Sequence, residues 1–336
     1  MRAIVMSEFG PPEVLVASEV PDPAPGEGQA LIDVELANIT FVETQVRAGR
    51  APNPAMVWDL PVIPGNGVGG VVAAVGAGVD PALVGTRVVS STDWSGAYAE
   101  RVAVDAAQLV AVPDGLGMRE AVALLADGRT ATLLVRSVGI RKGETVLVEA
   151  AGGGVGSLLV QLARNAGARV VAAAGDDRKL ELARELGAHI AINYRHPEWA
   201  DRVKAELGEP AGTDGEMDAI GGVDLAFDGV GGAIGRASFD LVRDGGRFFP
   251  FGMASGAFVE IPEDEAARRQ VTVVRIARPT PEEAVQLTRT ALTEAAAWRL
   301  RPVIGQTFPL EDAARAHAAI ESRATTGKTL LVVRDG

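Results

Sequence analysis

Residues Thr145-Val146-Leu147-Val148-Glu149-Ala150-Ala151-Gly152-Gly153-Gly154-Val155-Gly156 decide the fold. Thr145–Ala150 is an apolar run of strand length, Val155–Ala166 has helical periodicity, and a glycine triplet joins them. Glycines at such a junction permit a tight turn and let backbone N–H groups approach a pyrophosphate. The helix that follows turns its positive dipole end toward that anion. A glycine-rich turn alone fits a plain turn as well as a dinucleotide site, and the strand–turn–helix context selects the second.

Outward from this junction, strands and helices alternate. Arg169–Ala174 reads as a strand and Arg178–Leu186 as a helix closed by Gly187. His189–Asn193, Val223–Phe227, Arg247–Phe251 and Val271–Ile276 supply further short β-rich runs. This pattern predicts βαβ units and a doubly wound parallel sheet of six strands over residues 124–278. The preceding residues, 1–123, have another texture. Short strands such as Ala30–Leu36, Gly70–Val75, Arg87–Ser90 and Gln108–Val112 are punctuated by Pro/Gly turns, which predicts a β-rich, barrel-like unit. In the tail, 279–336, a helix (Glu282–Arg299) leads to strand-like Ile304–Pro309, a short helix from Leu310 and a last strand, Lys328–Val333. A last strand needs a sheet to join, so the tail is expected to return to the first domain, with the doubly wound unit inserted.

The 336 residues suffice for two cores, and 47% of them are apolar. A net charge of −12 argues against nucleic acid and anionic membranes as partners. The chain has no cysteine, which removes disulfides, thiolate nucleophiles and Cys-ligated zinc. Met1–Gly10 offers no basic segment followed by an apolar stretch, so a cytoplasmic location is expected.

A dinucleotide site that prefers NAD places Asp or Glu at the end of its second strand, to hold the ribose 2′-hydroxyl. Here that position is Ala174, followed by Gly175-Asp176-Asp177-Arg178-Lys179. A small residue with Arg178 and Lys179 beyond it leaves room and positive charge for a 2′-phosphate, which favours NADPH. Asp176 and Asp177 weigh toward NADH, or serve as helix N-caps. Tyr194 either packs against the adenosine end of the nucleotide or is an ordinary strand-end tyrosine.

The whole chain resembles the medium-chain dehydrogenases/reductases, and among them the zinc-independent quinone oxidoreductase, zeta-crystallin-like branch. The resemblance rests on Pro64-Gly65, Gly69–Gly76, Gly96-Ala97-Tyr98-Ala99-Glu100, the Gly152–Gly156 loop with Gln161-Leu162-Ala163, and Ala191–Tyr194. Asp228-Gly229-Val230-Gly231-Gly232, Phe251-Gly252 and Gly327-Lys328 complete it. It implies a GroES-like catalytic domain with an inserted Rossmann domain and a cleft between them. It further implies that Gly153, Gly154 and Val155 line the pyrophosphate and nicotinamide ribose, and that Gly175, Lys179 and Tyr194 form the NADPH 2′-phosphate pocket. Thr130 matches a residue beside the nicotinamide, and Gly229, Phe251 and Met253 match positions where later strands meet the cofactor.

Zinc-dependent members of this superfamily hold their metal with Cys, His and Cys. The matching positions here are Thr40, Asn66 and Asp127, a set ill suited to zinc, and the four-Cys structural lobe is missing. His189, His196 and His317 are scattered and read as surface or strand-end residues. With no Lewis acid, plain alcohol oxidation is disfavoured, and already electrophilic acceptors, quinones and alkenes conjugated to a carbonyl, are expected.

The chain also departs from its own branch. Thr40, Glu43 and Gln45 stand where relatives carry Asn-Phe-x-Asp-x-Tyr. Thr40 and Gln45 either bond an acceptor oxygen or line the cleft. Gly49-Arg50-Ala51-Pro52 lacks the tyrosine that enoyl-thioester reductases use as proton donor, and no residue stands out as a general acid. Trp58 and Trp94 offer stacking faces or, the favoured reading, hydrophobic filling. Val271–Ile276, as an apolar edge strand, is expected to join two copies in a homodimer. The sequence thus predicts an NADPH-dependent reductase of quinones or enones. Its rivals are an enoyl or biosynthetic tailoring reductase and a non-catalytic NADPH-binding structural protein.

Overall fold

The computed structural model describes residues 1–208 and 221–334. The chain divides into two compact units, Met1–Thr132 with Pro279–Gly336, and Leu133–Arg278. The change of texture read at residue 123 falls inside a single helix, Met118–Val138, which runs through the boundary. Nothing in that stretch breaks a helix except Gly128, whose bare Cα lets Ala291 and Leu124 pack closely.

The inserted unit is a Rossmann-type sheet. Its strand order is Ile190–Asn193, Arg169–Ala174, Thr145–Glu149, Val223–Asp228, Val242–Pro250 and Thr272–Val273. Every neighbouring pair is parallel. Val146, Leu147 and Val148 are fully buried, as a strand covered on both faces requires. Phe239 and Phe248 meet edge-to-face at 5.4 Å in the same core, and burying each ring contributes about 2–3 kcal/mol. The strand order reverses between Thr145–Glu149 and Val223–Asp228, and ligands of such sheets bind beyond the strand ends at that reversal. The edge strand is shorter than the apolar run Val271–Ile276 suggested. Only Thr272 and Val273 pair in it, and Ile276 is exposed.

The first unit is a GroES-like, β-rich body built around the long strand Gln29–Ile39. This strand pairs antiparallel with Gly67–Val75, Arg101–Asp105 and the last strand, Lys328–Val332. The tail therefore does return to the first domain. Two helices break the expected all-strand texture, Phe41–Arg47 directly after the long strand and the start of Met118–Val138. Trp58 belongs to the core here and donates its indole N–H to the Trp94 carbonyl at 2.8 Å. No helix among the described residues is long and apolar enough to cross a membrane.

Candidate functional site

In the inserted unit the glycine turn closes as its sequence demands. Gly153 caps the helix Gly154–Asn165, and its N–H donates to the Ala150 carbonyl at 2.8 Å. Gly156 admits no side chain, since a Cβ there would lie 2.2 Å from the Ala150 carbonyl oxygen, so helix and strand meet backbone to backbone. Ala150 itself has φ +48°, a conformation uncommon outside glycine and found at strained functional turns. Gly153, Gly154 and Val155 are all half-buried, leaving the helix N-terminus accessible.

The end of the second strand gathers a cationic pocket. A Cβ on Gly175 would stand 3.2 Å from both the Tyr194 ring and the Arg195 guanidinium. Asp176 caps the next helix by accepting the Lys179 N–H at 3.0 Å, and its other carboxylate oxygen holds Lys179 Nζ at 2.9 Å. Burial pushes the Asp176 carboxyl up, but the hydrogen bonds and charge of Lys179, with Arg195 behind, outweigh it and hold it below its usual range. Tyr194 and Arg195 thus flank Gly175, and Lys179 is tied to the adjoining Asp176. The sequence reading missed Arg195, although it adjoins Tyr194 in the chain. Arg178, the other cation of this stretch, is exposed.

At the sheet reversal Glu149 and Asp228 are both buried. Asp228 Oδ1 accepts the N–H groups of Val230 and Gly231 at 2.9 and 2.6 Å, and Glu149 accepts from Ser238 Oγ and from the Val230 N–H. Burial, and then the facing Asp228 carboxyl, push Glu149 well above the usual carboxylate range. This pair shapes the turn that carries Gly229. The Phe251 ring lies over Gly229, where a Cβ would come within 2.9 Å of it, and Met253 follows half-buried.

In the first unit a second polar cluster surrounds Thr40. The Thr40 hydroxyl and backbone N–H both donate to Glu43 Oε2, at 2.7 and 2.6 Å. Asn66 Nδ2 reaches the Thr40 hydroxyl at 3.4 Å, and Asn66 Oδ1 accepts from Asn38 at 3.1 Å. Asp127 pairs with Lys328 Nζ at 2.9 Å, both buried. The three positions that hold zinc in metal-dependent relatives therefore do not fit a metal: Asp127 carries an ammonium and Thr40 carries a carboxylate. Among the described residues no three His, Cys, Asp or Glu side chains group to hold one.

Gln45 is buried, its amide N–H donating to Thr44 Oγ1 and its amide oxygen accepting from Arg50 Nε. Thr130 is half-buried and donates its hydroxyl to the Ala126 carbonyl one helical turn back. His317 corrects the sequence reading. It is fully buried, with Nε2 2.9 Å from the Tyr98 hydroxyl. Its helix, Ala313–Glu321, lays the small residues Ala313 and Ala316 against the core and draws His317 in with them. His189 is exposed and directly precedes the strand Ile190–Asn193, its Nδ1 accepting the Val170 N–H at 2.9 Å.

Known proteins resemble this chain over nearly its whole length. Residues 26–114 match the alcohol dehydrogenase GroES-like domain family and residues 154–293 the zinc-binding dehydrogenase family. The chain is 36% identical to a probable quinone oxidoreductase of Schizosaccharomyces pombe, over 99% of this chain and 97% of that one. It is 31% identical to a 2-haloacrylate reductase of a Burkholderia species, over 99% of each. Its fold is similar to that of Escherichia coli quinone oxidoreductase complexed with NADPH, with a TM-score of 0.88 and 29% identity over 99% of this chain and 100% of that one.

Proposed function

We propose, from the premise that this chain belongs to the zinc-independent quinone oxidoreductase branch of the medium-chain dehydrogenases/reductases, that it reduces a quinone or an α,β-unsaturated carbonyl compound. The chain is an oxidoreductase, and its cofactor is NADPH. The residues of the inserted unit fit that nucleotide. Gly153, Gly154 and Val155 would take the pyrophosphate at the helix N-terminus, and Lys179, Tyr194 and Arg195 around Gly175 would take the 2′-phosphate. When bound, NADPH supplies a hydride.

The observation that carries the choice of acceptor is the occupancy of Thr40 and Asp127. With their oxygens bonded to Glu43 and Lys328, neither polarises a carbonyl as a metal would, so the acceptor has to be electrophilic beforehand. The similarity to a 2-haloacrylate reductase supports including conjugated alkenes beside quinones. Thr40 is the acceptor-facing group in this reading and Thr130 the residue proposed beside the nicotinamide, while Gln45, bonded to Thr44 and Arg50, supports the segment that carries Thr40. The strand Thr272–Val273, at the edge of its sheet, supports assembly as a homodimer, which light scattering checks. The decisive assay follows NADPH oxidation with a panel of quinones, enones and enoyl thioesters. Turnover of quinones or enones is expected. Turnover of thioesters alone would replace this reading with an enoyl reductase.

A further inference from the structure

Behind Thr40 a line of polar side chains runs into the core of the first unit. Thr40 is half-buried, whereas Glu43, Tyr98 and His317 are wholly inaccessible. Thr40 Oγ1 meets Glu43 Oε2 at 2.7 Å, Glu43 Oε1 meets the Tyr98 hydroxyl at 3.3 Å, and Tyr98 meets His317 Nε2 at 2.9 Å. His317 Nδ1, at the far end, is buried with no partner. A helix cap needs only the Thr40–Glu43 contact. The remaining members are what a cap does not explain.

We propose that Thr40 and Glu43 form a proton relay: Thr40 protonates the reduced acceptor and Glu43 resupplies Thr40. The proposal rests on the reading of Thr40 as acceptor-facing. Hydride addition leaves the acceptor with one negative charge. The Thr40 O–H bond then breaks as an O–H bond forms on a quinone, or a C–H bond on an enone. With Glu43 protonated the hydrogen bond runs from Glu43 Oε2–H to Thr40 Oγ1, which frees the Thr40 hydrogen for the acceptor, and the Oε2–H bond breaks as the Thr40 hydroxyl is restored. Glu43 is left a carboxylate, held by both the hydroxyl and the N–H of Thr40, and regains its proton from water by the same route once product has left. One hydride and one proton are added, and NADPH becomes NADP⁺.

The surroundings suit Glu43 to this task and its neighbours to supporting it. Burial pushes the Glu43 carboxyl up, against the hydrogen bonds of Thr40, the charge of Lys328 and the Tyr98 hydroxyl, to about 7. Burial also raises the Tyr98 phenol far above its usual value and, with the Arg47 charge, lowers His317 to about 3, so neither changes charge near neutrality. The other charges are paired, Lys328 with Asp127 and Arg47 with Glu321. Glu43 is therefore the proton store of the cluster.

The test compares the unaltered protein with Glu43→Gln, Thr40→Val and Thr40→Ser, following quinone reduction against pH, and reads the carboxyl stretch of the resting protein by infrared titration. Activity of the unaltered protein should fall above a midpoint near that of Glu43. Glu43→Gln should lower kcat roughly 10²-fold at neutral pH, leave KM within about threefold, and remove that limb of the profile. Thr40→Ser should stay within a few-fold of the unaltered protein while Thr40→Val falls like Glu43→Gln. A protonated carboxyl signal titrating near neutrality should vanish in Glu43→Gln. An unchanged pH profile in Glu43→Gln, equal rates for Thr40→Val and Thr40→Ser, or absence of that signal would each overturn the relay. The infrared signal needs no acceptor, so its presence in a protein that reduces neither quinones nor enones sinks the acceptor reading instead.

Discussion

The stem of Lys179 lies directly over Gly152: a Cβ built on the glycine would approach Lys179 Cβ and Cγ to 2.5 Å. The glycine turn and the cationic pocket at the second strand are thereby one packed unit. The near end of the lysine stem cannot swing aside as its ammonium could, so any side chain at Gly152 displaces the helix start that carries Lys179. Gly152→Ala is expected to weaken NADPH binding roughly tenfold or more, the loss of a charge-assisted contact to phosphate. It should weaken NADH much less. Fluorescence titration with both nucleotides checks this, and equal losses would count against the coupling.

The buried Glu149–Asp228 pair yields a second expectation. Burial and the facing carboxyl raise Glu149 well above the usual carboxylate range, which favours its neutral acid form. Glutamine has the same shape, and its N–H₂ replaces the acid proton. Val230 N–H keeps Asp228 Oδ1 as its acceptor in any case. Glu149→Gln should therefore cost under about 1 kcal/mol at neutral pH. Glu149→Ala, which leaves a cavity and strips Ser238 of its acceptor, should cost roughly 2–4 kcal/mol. Urea denaturation of the two variants measures the difference. Equal losses would show that the proton is not where the pair places it.

The two clusters differ in how far the sequence revealed them. At Gly152–Gly156 the change from strand to helical period occurs within one short segment, so turn, sheet and anion site are readable together. Ala174 likewise announces the missing ribose carboxylate by its distance from the loop. The Thr40 cluster had no such local signal. Tyr98 lies 55 residues from Glu43 and 219 from His317, and Lys328 lies 201 from Asp127. The return of the last strand onto Gln29–Ile39 carries Lys328 into this unit, and the helix Ala313–Glu321 before it carries His317. Thr40, Asn66 and Asp127 were legible as missing metal ligands, but not as a hydroxyl and a carboxylate already engaged. The burial of His317 did leave a trace, in the small residues Ala313 and Ala316 that precede it on one helical face.

Glu43 also links stability to pH. An acid whose folded value is raised favours the folded state most when protonated in both states, below about 4.5. Its contribution is lost as pH rises from there to about 7 and is constant above. Glu43→Gln has no such proton to lose. Relative to the unaltered protein it should gain roughly 3 kcal/mol between pH 4.5 and pH 8. Denaturant midpoints of both proteins across that range provide the measurement, and a difference that does not vary with pH would refute the raised carboxyl.

Lys179 and Asp176 make opposing demands on a phosphate. The ion pair at 2.9 Å holds the ammonium against Asp176, the residue after Gly175, yet that carboxylate repels a 2′-phosphate brought to the same place. Lys179→Ala removes the attraction and leaves that repulsion, so NADPH affinity should fall roughly 10–100-fold while NADH affinity changes little. Asp176→Asn keeps an oxygen to cap the Lys179 N–H but removes the negative charge. NADPH should then bind a few-fold more tightly, with NADH again the control. Calorimetry at low and high salt separates the two contributions, since the electrostatic gain of Asp176→Asn shrinks as ions screen it. Tighter NADH binding in Asp176→Asn, with no gain for NADPH, would place the 2′-phosphate away from Gly175 and reverse the assignment of this pocket.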